Sequence, residues 1–174
     1  IEAAYPGATA LFVQGCGADA NPLPRGSVEA ARRYGSILAA GVAQVLASKM
    51  KPLDAPLRTA FETVDVPFER PPSREELRAR LDDKNVYQRR WAARLLETIE
   101  KEGTLPEAYP YPVQVWNFGS GLKLIALAGE VVADYSLRIK ARHGWDDTWV
   151  AGYSNDILAY IPSRRVRLEG GYEG

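Results

Sequence analysis

The chain has 174 residues, 46% of them hydrophobic and 25% charged, which is the composition of a globular domain able to bury a core. Lys plus Arg and Asp plus Glu each number 22, so net charge gives no reason to expect nucleic acid or an anionic membrane as a partner. No apolar run reaches the length of a membrane span, and the single cysteine, Cys16, excludes an internal disulfide.

The chain opens on "IEAAYPG", with no basic and apolar leader, and closes inside a Gly-rich turn, "GGYEG". Both ends read as cut from something longer, so one incomplete domain over residues 1–174 is expected. Thr9 to Val13 is predicted as a buried strand that empties into the small-residue loop "GCGADANP". Next, Val28, Ala31, Gly35, Leu38, Val42 and Val45 recur at steps of three and four, the stripe of an amphipathic helix, with Ser27 as its N-cap.

"LRTAFETVDVPFE" alternates as a strand does, and Pro67 puts it at an edge or a strand end. Ser73 and Glu76 form a capping box for a short helix, and Asn85 caps a second one that Gly103 ends. Residues 73–103 therefore read as a charged helical excursion, an exposed hairpin or else a lid or partner-binding surface. "YPVQVWNFGSGLKLIALAG" has two apolar runs around "GSG" and predicts a β-hairpin.

"EVVADYSLRIKARHG" predicts a helix that turns Val131, Val132, Tyr135 and Ile139 inward and stops at Gly144, with Glu130 at its head. "TWVAGYSND" is a further strand running into a loop. Strand, loop and helix recur, so the fold class is α/β, a layered mixed β-sheet with packed helices.

Loops after strands are where α/β folds gather their chemistry. By that rule Asp19, Glu130, Asn155, Asp156 and Tyr160 are candidates to converge. Glu130, at a predicted helix head, would be held ionised by free backbone N–H groups and the helix dipole, as a metal ligand or as an ordinary first-turn acid. Cys16 reads as a thiol nucleophile or a small buried hydrophobe, and His143, the only histidine, as a helix C-terminal residue. Asp19-Ala20-Asn21-Pro22 reads as a functional loop or a turn with Asx hydrogen bonds.

Taken in order, these loops resemble the latter part of the catalytic domain of the neutral, non-lysosomal ceramidase family. That family carries a Gly-Asp-x-Ser-Pro turn, Pro-Gly-Glu, Ser-Gly-Leu-x-Asn leading to Tyr-x-x-Tyr-[Val/Ile]-Thr-Thr, and a Tyr-Glu-[Gly/Ala] turn. The matching residues are Ala18 to Pro22, Ala128-Gly129-Glu130 with Arg138, Ala151 to Asn155 leading to Tyr160-Ile161, and Tyr172-Glu173-Gly174. The resemblance implies a zinc-dependent amidohydrolase of ceramide-like N-acyl bonds, part of sphingolipid and lipid metabolism, acting by zinc-activated water. It implies Glu130 and Tyr160 as metal ligands, and Asp19, Asn21 and Tyr172 as catalytic residues, with Tyr172 reaching the substrate amide.

It also implies a small-molecule or lipid amide as substrate and a secreted or periplasmic location. The family's two histidine ligands lie upstream of the Asp-x-Ser-Pro turn, so they would belong to a missing N-terminal part of the same domain. Several positions depart from the pattern, and some of them bear on function. Asn21 replaces the serine, which removes a covalent acyl-serine route; Ile157 replaces the first Tyr; and Pro162-Ser163 replaces the Thr pair. A catalytically silent relative that binds a lipid, a glycan or a protein is the alternative expectation.

Overall fold

A computed structural model describes residues 1–53 and 55–174. In chain order the elements are α1 (Val28–Ala47), β1 (Leu57–Pro67), α2 (Arg74–Ala79), α3 (Val86–Glu102), β2 (Ala108–Phe118), β3 (Leu122–Leu127), β4 (Glu130–Val131), α4 (Ala133–His143), β5 (Thr148–Ala151), β6 (Tyr160–Ile161) and α5 (Arg164–Glu169). The fold is α/β. A four-stranded sheet has the order β1-β2-β3-β5, and β4 and β6 form a two-stranded sheet of their own. Among the described residues no helix is long and apolar enough to cross a membrane.

The chain divides into two compact units, Ile1–Glu62 with Pro112–Gly174, and Thr63–Tyr111. Within the second, the Ser73 hydroxyl accepts from Glu76 N while the Glu76 side chain accepts from Ser73 N, the capping box its sequence announces. Asn85 caps α3, and Gly103 ends it at φ +84°, where a Cβ would be strained. Leu77, Ala92, Ile99 and Leu105 are buried together here, with Leu95 and Leu96 packed against them. This unit therefore has an apolar centre of its own.

In the first unit, β2 and β3 form the expected hairpin, antiparallel from Val113↔Leu127 to Phe118↔Leu122. β5 lies parallel to β3, with Lys123↔Thr148 through Ala126↔Ala151 in register, so a crossover that includes α4 must join them. Parallel pairing brings the C-terminal ends of β3 and β5 to the same edge of the sheet, and the loops that leave them build the candidate site.

Two expectations, at Thr9–Val13 and at Glu130, need correction. Thr9–Val13 is not a strand; Leu11 is 88% and Phe12 72% exposed. A strand requires a neighbour for its backbone, and the nearest pairing in this segment is a single bridge, Gly15 to Ala151. The stripe on α1 forms a helix, capped by Ser27 accepting from Ala30 N at 3.1 Å, but none of its residues is buried. β1 is likewise a strand, at the sheet edge, with every residue exposed. Finally, Glu130 is not at a helix head: it lies in β4, α4 starts at Ala133 after its N-cap Val132, and the first-turn acid is Asp134.

The inward positions around that start are as anticipated in part. Val131 and Val132 are fully buried, whereas Tyr135 and Ile139 are half-buried. Helix α5 was not anticipated. Its N-cap Ser163 accepts from Val166 N and donates to Asp134 Oδ2 at 2.6 Å, and Arg165 grips the same carboxylate at 2.9 and 3.0 Å.

Candidate functional site

Backbone hydrogen bonds tie the strand-end loops together. Gly129 N donates to Asp156 O at 2.8 Å and Glu130 N to Ala159 O at 2.9 Å, while Val132 N donates to Ile161 O at 3.4 Å. These set β4 beside β6 in parallel, with Glu130 opposite Tyr160 and Val131 opposite Ile161. On the other side, Ala18 N donates to Val131 O and Gly152 N to Gln14 O, which fastens the chain around the "GCGADANP" loop to β4 and to the end of β5. Gly129, at φ +73°, makes this close approach possible: a Cβ there would stand 2.8 Å from Ala159 O and 2.7 Å from Ile161 Cγ1.

An open cavity of about 870 Å³ lies above this junction. Four of the expected residues line it: Asn21, Glu130, Tyr160 and Tyr172. Tyr172 packs edge-on against Tyr160 with ring centroids 5.5 Å apart. Burial, then the hydrogen bond to Glu130 and that carboxylate's charge, push the Tyr160 phenol up to about 12. Facing that carboxylate across the β4–β6 ladder, the phenol holds its proton more tightly than a free tyrosine does.

Asp19 is used differently. It does not line the cavity; its Oδ1 accepts from Ala133 N at 2.8 Å, so it caps α4 from a loop far away in sequence. Asn155 donates to Gln114 Oε1 at 3.3 Å, and Asp156 Oδ1 accepts from Ile157 N. The Cys16 thiol is pushed by burial up to about 11, and His143 is exposed at the end of α4. A thiol so reluctant to ionise is a poor nucleophile, which favours the reading of Cys16 as a small hydrophobe.

Sequence reasoning missed Gln14, Arg25, Tyr153 and Glu173, all of which line the cavity. Tyr153 is the most informative. It sits at φ +52°, a left-handed conformation that bulky residues seldom adopt, and its N–H donates to Gly129 O at 3.0 Å. From there its hydroxyl donates to Glu130 Oε2 at 3.4 Å, so Glu130 has the phenols of both Tyr153 and Tyr160 as neighbours. Burial, followed by the charge of Glu130, raises the Tyr153 phenol as well. Residues held in such sparsely populated conformations cluster at functional sites.

Do these residues hold zinc? Glu130 and Tyr160 offer two oxygen donors, whereas zinc takes four ligands and favours nitrogen or sulfur among them. Among the described residues, no group of three or more His, Cys, Asp and Glu converges anywhere. The residues present do not complete a zinc site. Comparison with protein-family models, curated proteins and solved structures finds no match to this chain.

Proposed function

We infer that this chain carries one side of the active site of a hydrolase that cleaves N-acyl amide bonds and is related to the neutral ceramidases. The observation that carries the reading is the pairing of Glu130 with Tyr160 across β4 and β6, with Tyr172 against Tyr160 and Asn21 on the same cavity. Residues separated widely in sequence and matched separately to family motifs meet around one space.

The reading assigns roles to side chains. Glu130 is the fixed anion, oriented by the Tyr153 and Tyr160 hydroxyls. Tyr172, with its phenol at the cavity rim, is a donor for the charge that develops on an attacked carbonyl oxygen. Asn21 can donate to and accept from the substrate amide but cannot act as a nucleophile, so attack must come from water. Zinc would take Glu130 and Tyr160 as two of its donors, and the reading assigns the remaining donors to a part of the domain outside these 174 residues. The exposed apolar positions on α1 and β1, such as Leu38, Val45 and Phe61, support a further layer of that domain.

The second reading, a catalytically silent binding module, is favoured by Asn21 at the serine position. Elemental analysis and amide hydrolysis on the full-length protein separate the two. Stoichiometric zinc, with turnover that falls at least about a hundredfold in Glu130→Gln, is expected of the hydrolase. Absence of both metal and turnover in a folded full-length protein would leave only the binding module.

A further inference from the structure

Three of the side chains that line the Glu130 cavity, Tyr160, Tyr172 and Glu173, come from one stretch of chain, residues 160–174. Little backbone pairing fixes that stretch in place. The β4–β6 ladder has two rungs, Glu130↔Tyr160 and Val131↔Ile161, and forms a sheet of two strands. So small a sheet is marginal on its own. Helix α5, six residues long, is too short to keep its shape unaided.

Side chains continue what the ladder begins. Just past its last rung, the Tyr135 hydroxyl donates to Pro162 O at 3.2 Å. One position earlier on α4, the Asp134 carboxylate accepts three hydrogen bonds from the facing segment. Ser163 Oγ at 2.6 Å and Arg165 Nε at 3.0 Å donate to Oδ2, and Arg165 Nη2 at 2.9 Å donates to Oδ1. The Arg165 contact is the two-pronged grip peculiar to a guanidinium. Ser163 is also the N-cap of α5, and Arg165 reaches on to Glu169 Oε2 at 2.7 Å, one turn along. A single carboxylate thus fixes where α5 begins and stiffens it. Val166 of α5 is buried with Val132 and Ala18, and Tyr135 and Tyr160 lie against them.

From α5 the placement carries to the cavity rim. Gly170 N donates to Val166 O at 3.0 Å, and Gly170 and Gly171 take φ of +74° and +104°. The chain doubles back so closely that a Cβ on Gly174 would stand 2.8 Å from Val166 O. Tyr172 and Glu173 lie within this turn, and the ring of Tyr172 meets that of Tyr160. Tyr172 is 82% exposed, so burial does not hold it there.

We propose that Asp134 is a positioning residue for the cavity: through Ser163 and Arg165 it keeps residues 160–174 in register with β4, so that Tyr160, Tyr172 and Glu173 share one space with Glu130. For its effect on turnover the proposal rests on the amide-hydrolase reading; for its effect on geometry it does not.

The test is hydrogen–deuterium exchange, read by mass spectrometry, on the full-length protein and its Asp134→Ala, Arg165→Ala and double variants. Arg165, its side chain 54% exposed, is the substitution that least disturbs packing. Exchange in peptides covering residues 160–174 should quicken by about tenfold or more in each single variant, while β3 and β5 keep wild-type protection. The two residues act as one unit, so the double variant should exchange within about twofold of either single one. Asp134→Asn, which still accepts from Ser163 but loses the ion pair, should fall between wild type and Asp134→Ala. Unchanged exchange over residues 160–174 would overturn the proposal. Faster exchange spread equally over β3 and β5 would overturn it too, since that marks a general loss of stability.

Turnover is scored separately, on an N-hexanoyl amide of a fluorescent amine. In Asp134→Ala, kcat should fall by about tenfold or more while KM changes by less than about threefold. An unchanged kcat in the variant of an active enzyme would overturn the proposal. A wild-type protein that cleaves no amide, yet shows the confined change in exchange, would remove the hydrolase reading and keep Asp134 as the anchor.

Discussion

Glu130 and Tyr160 occupy facing positions on two adjacent parallel strands, and the carboxylate is one of the groups that raise the phenol. The consequence can be measured at high pH. Tyr160 keeps its proton up to about 12, above the usual phenol value near 10. Because the folded value lies above the unfolded one, its stabilising contribution is complete below about pH 10 and is lost as pH rises through about 12. In Glu130→Gln the charge is gone but burial, the largest cause, remains, so Tyr160 should titrate between those limits. Carbon-13 NMR of labelled tyrosine rings reads this directly. An unchanged Tyr160 titration in the variant would mean that the two groups do not interact in solution.

Asp19 is expected to matter through α4. Its carboxylate satisfies the N–H of Ala133, one of the orphan donors at that helix start. Asp19→Ala should cost about 1 kcal/mol and lower Tm by about 2–4 °C. Asp19→Asn, which keeps the acceptor, should cost less. If Asp19→Ala leaves Tm unchanged while abolishing activity, Asp19 acts on the substrate and not on the helix.

Gly129→Ala tests the close approach beneath the site. The new methyl group meets a backbone oxygen at 2.8 Å, and the residue must keep φ at +73°, so relaxation by side-chain movement alone is not available. A loss of about 2 kcal/mol or more is expected, most of it local to β4 and β6. Urea denaturation and amide spectra of Glu130 and Tyr160 would show it. Wild-type stability in the variant would mean that the loops do not meet as described.

Thr148 presents the opposite case. Its hydroxyl is buried and, among the described residues, has no hydrogen-bond partner. Thr148→Val keeps the shape and removes the orphan, so the protein should become more stable by about 1 kcal/mol. Thermal melts settle the sign. A loss of stability would show that the hydroxyl is satisfied by water or by another group.

Local signals were the legible part of the fold. Ser27, the Ser73–Glu76 box, Asn85 with Gly103, and the "GSG" turn each act within a few residues, and each does what its chemistry predicts. Thr9–Val13 shows the limit, because apolar spacing cannot supply the partner strand that its backbone needs. Glu130 shows another: a strand of two residues exists only through its pairing with residues 160–161, and no window around Glu130 contains that information.

The site was legible in the same uneven way. Glu130, Tyr160, Tyr172 and Asn21 carry recognisable chemistry and do meet. Asp19 carries it too, yet its carboxylate is taken up by a helix that begins 114 positions later. Tyr153 was overlooked because its role depends on a left-handed backbone angle, which the side-chain pattern does not disclose.

The β4–β6 ladder is only two residues long on each strand and is separate from the four-stranded sheet. So short a ladder is among the first parts of a molecule to fray, since few amides must let go together. Solvent deuterium should therefore enter at Glu130 and Ile161 well before it reaches Ile125 or Val150. The grip on whatever occupies the cavity would then be tightest when that occupant itself pins the ladder shut.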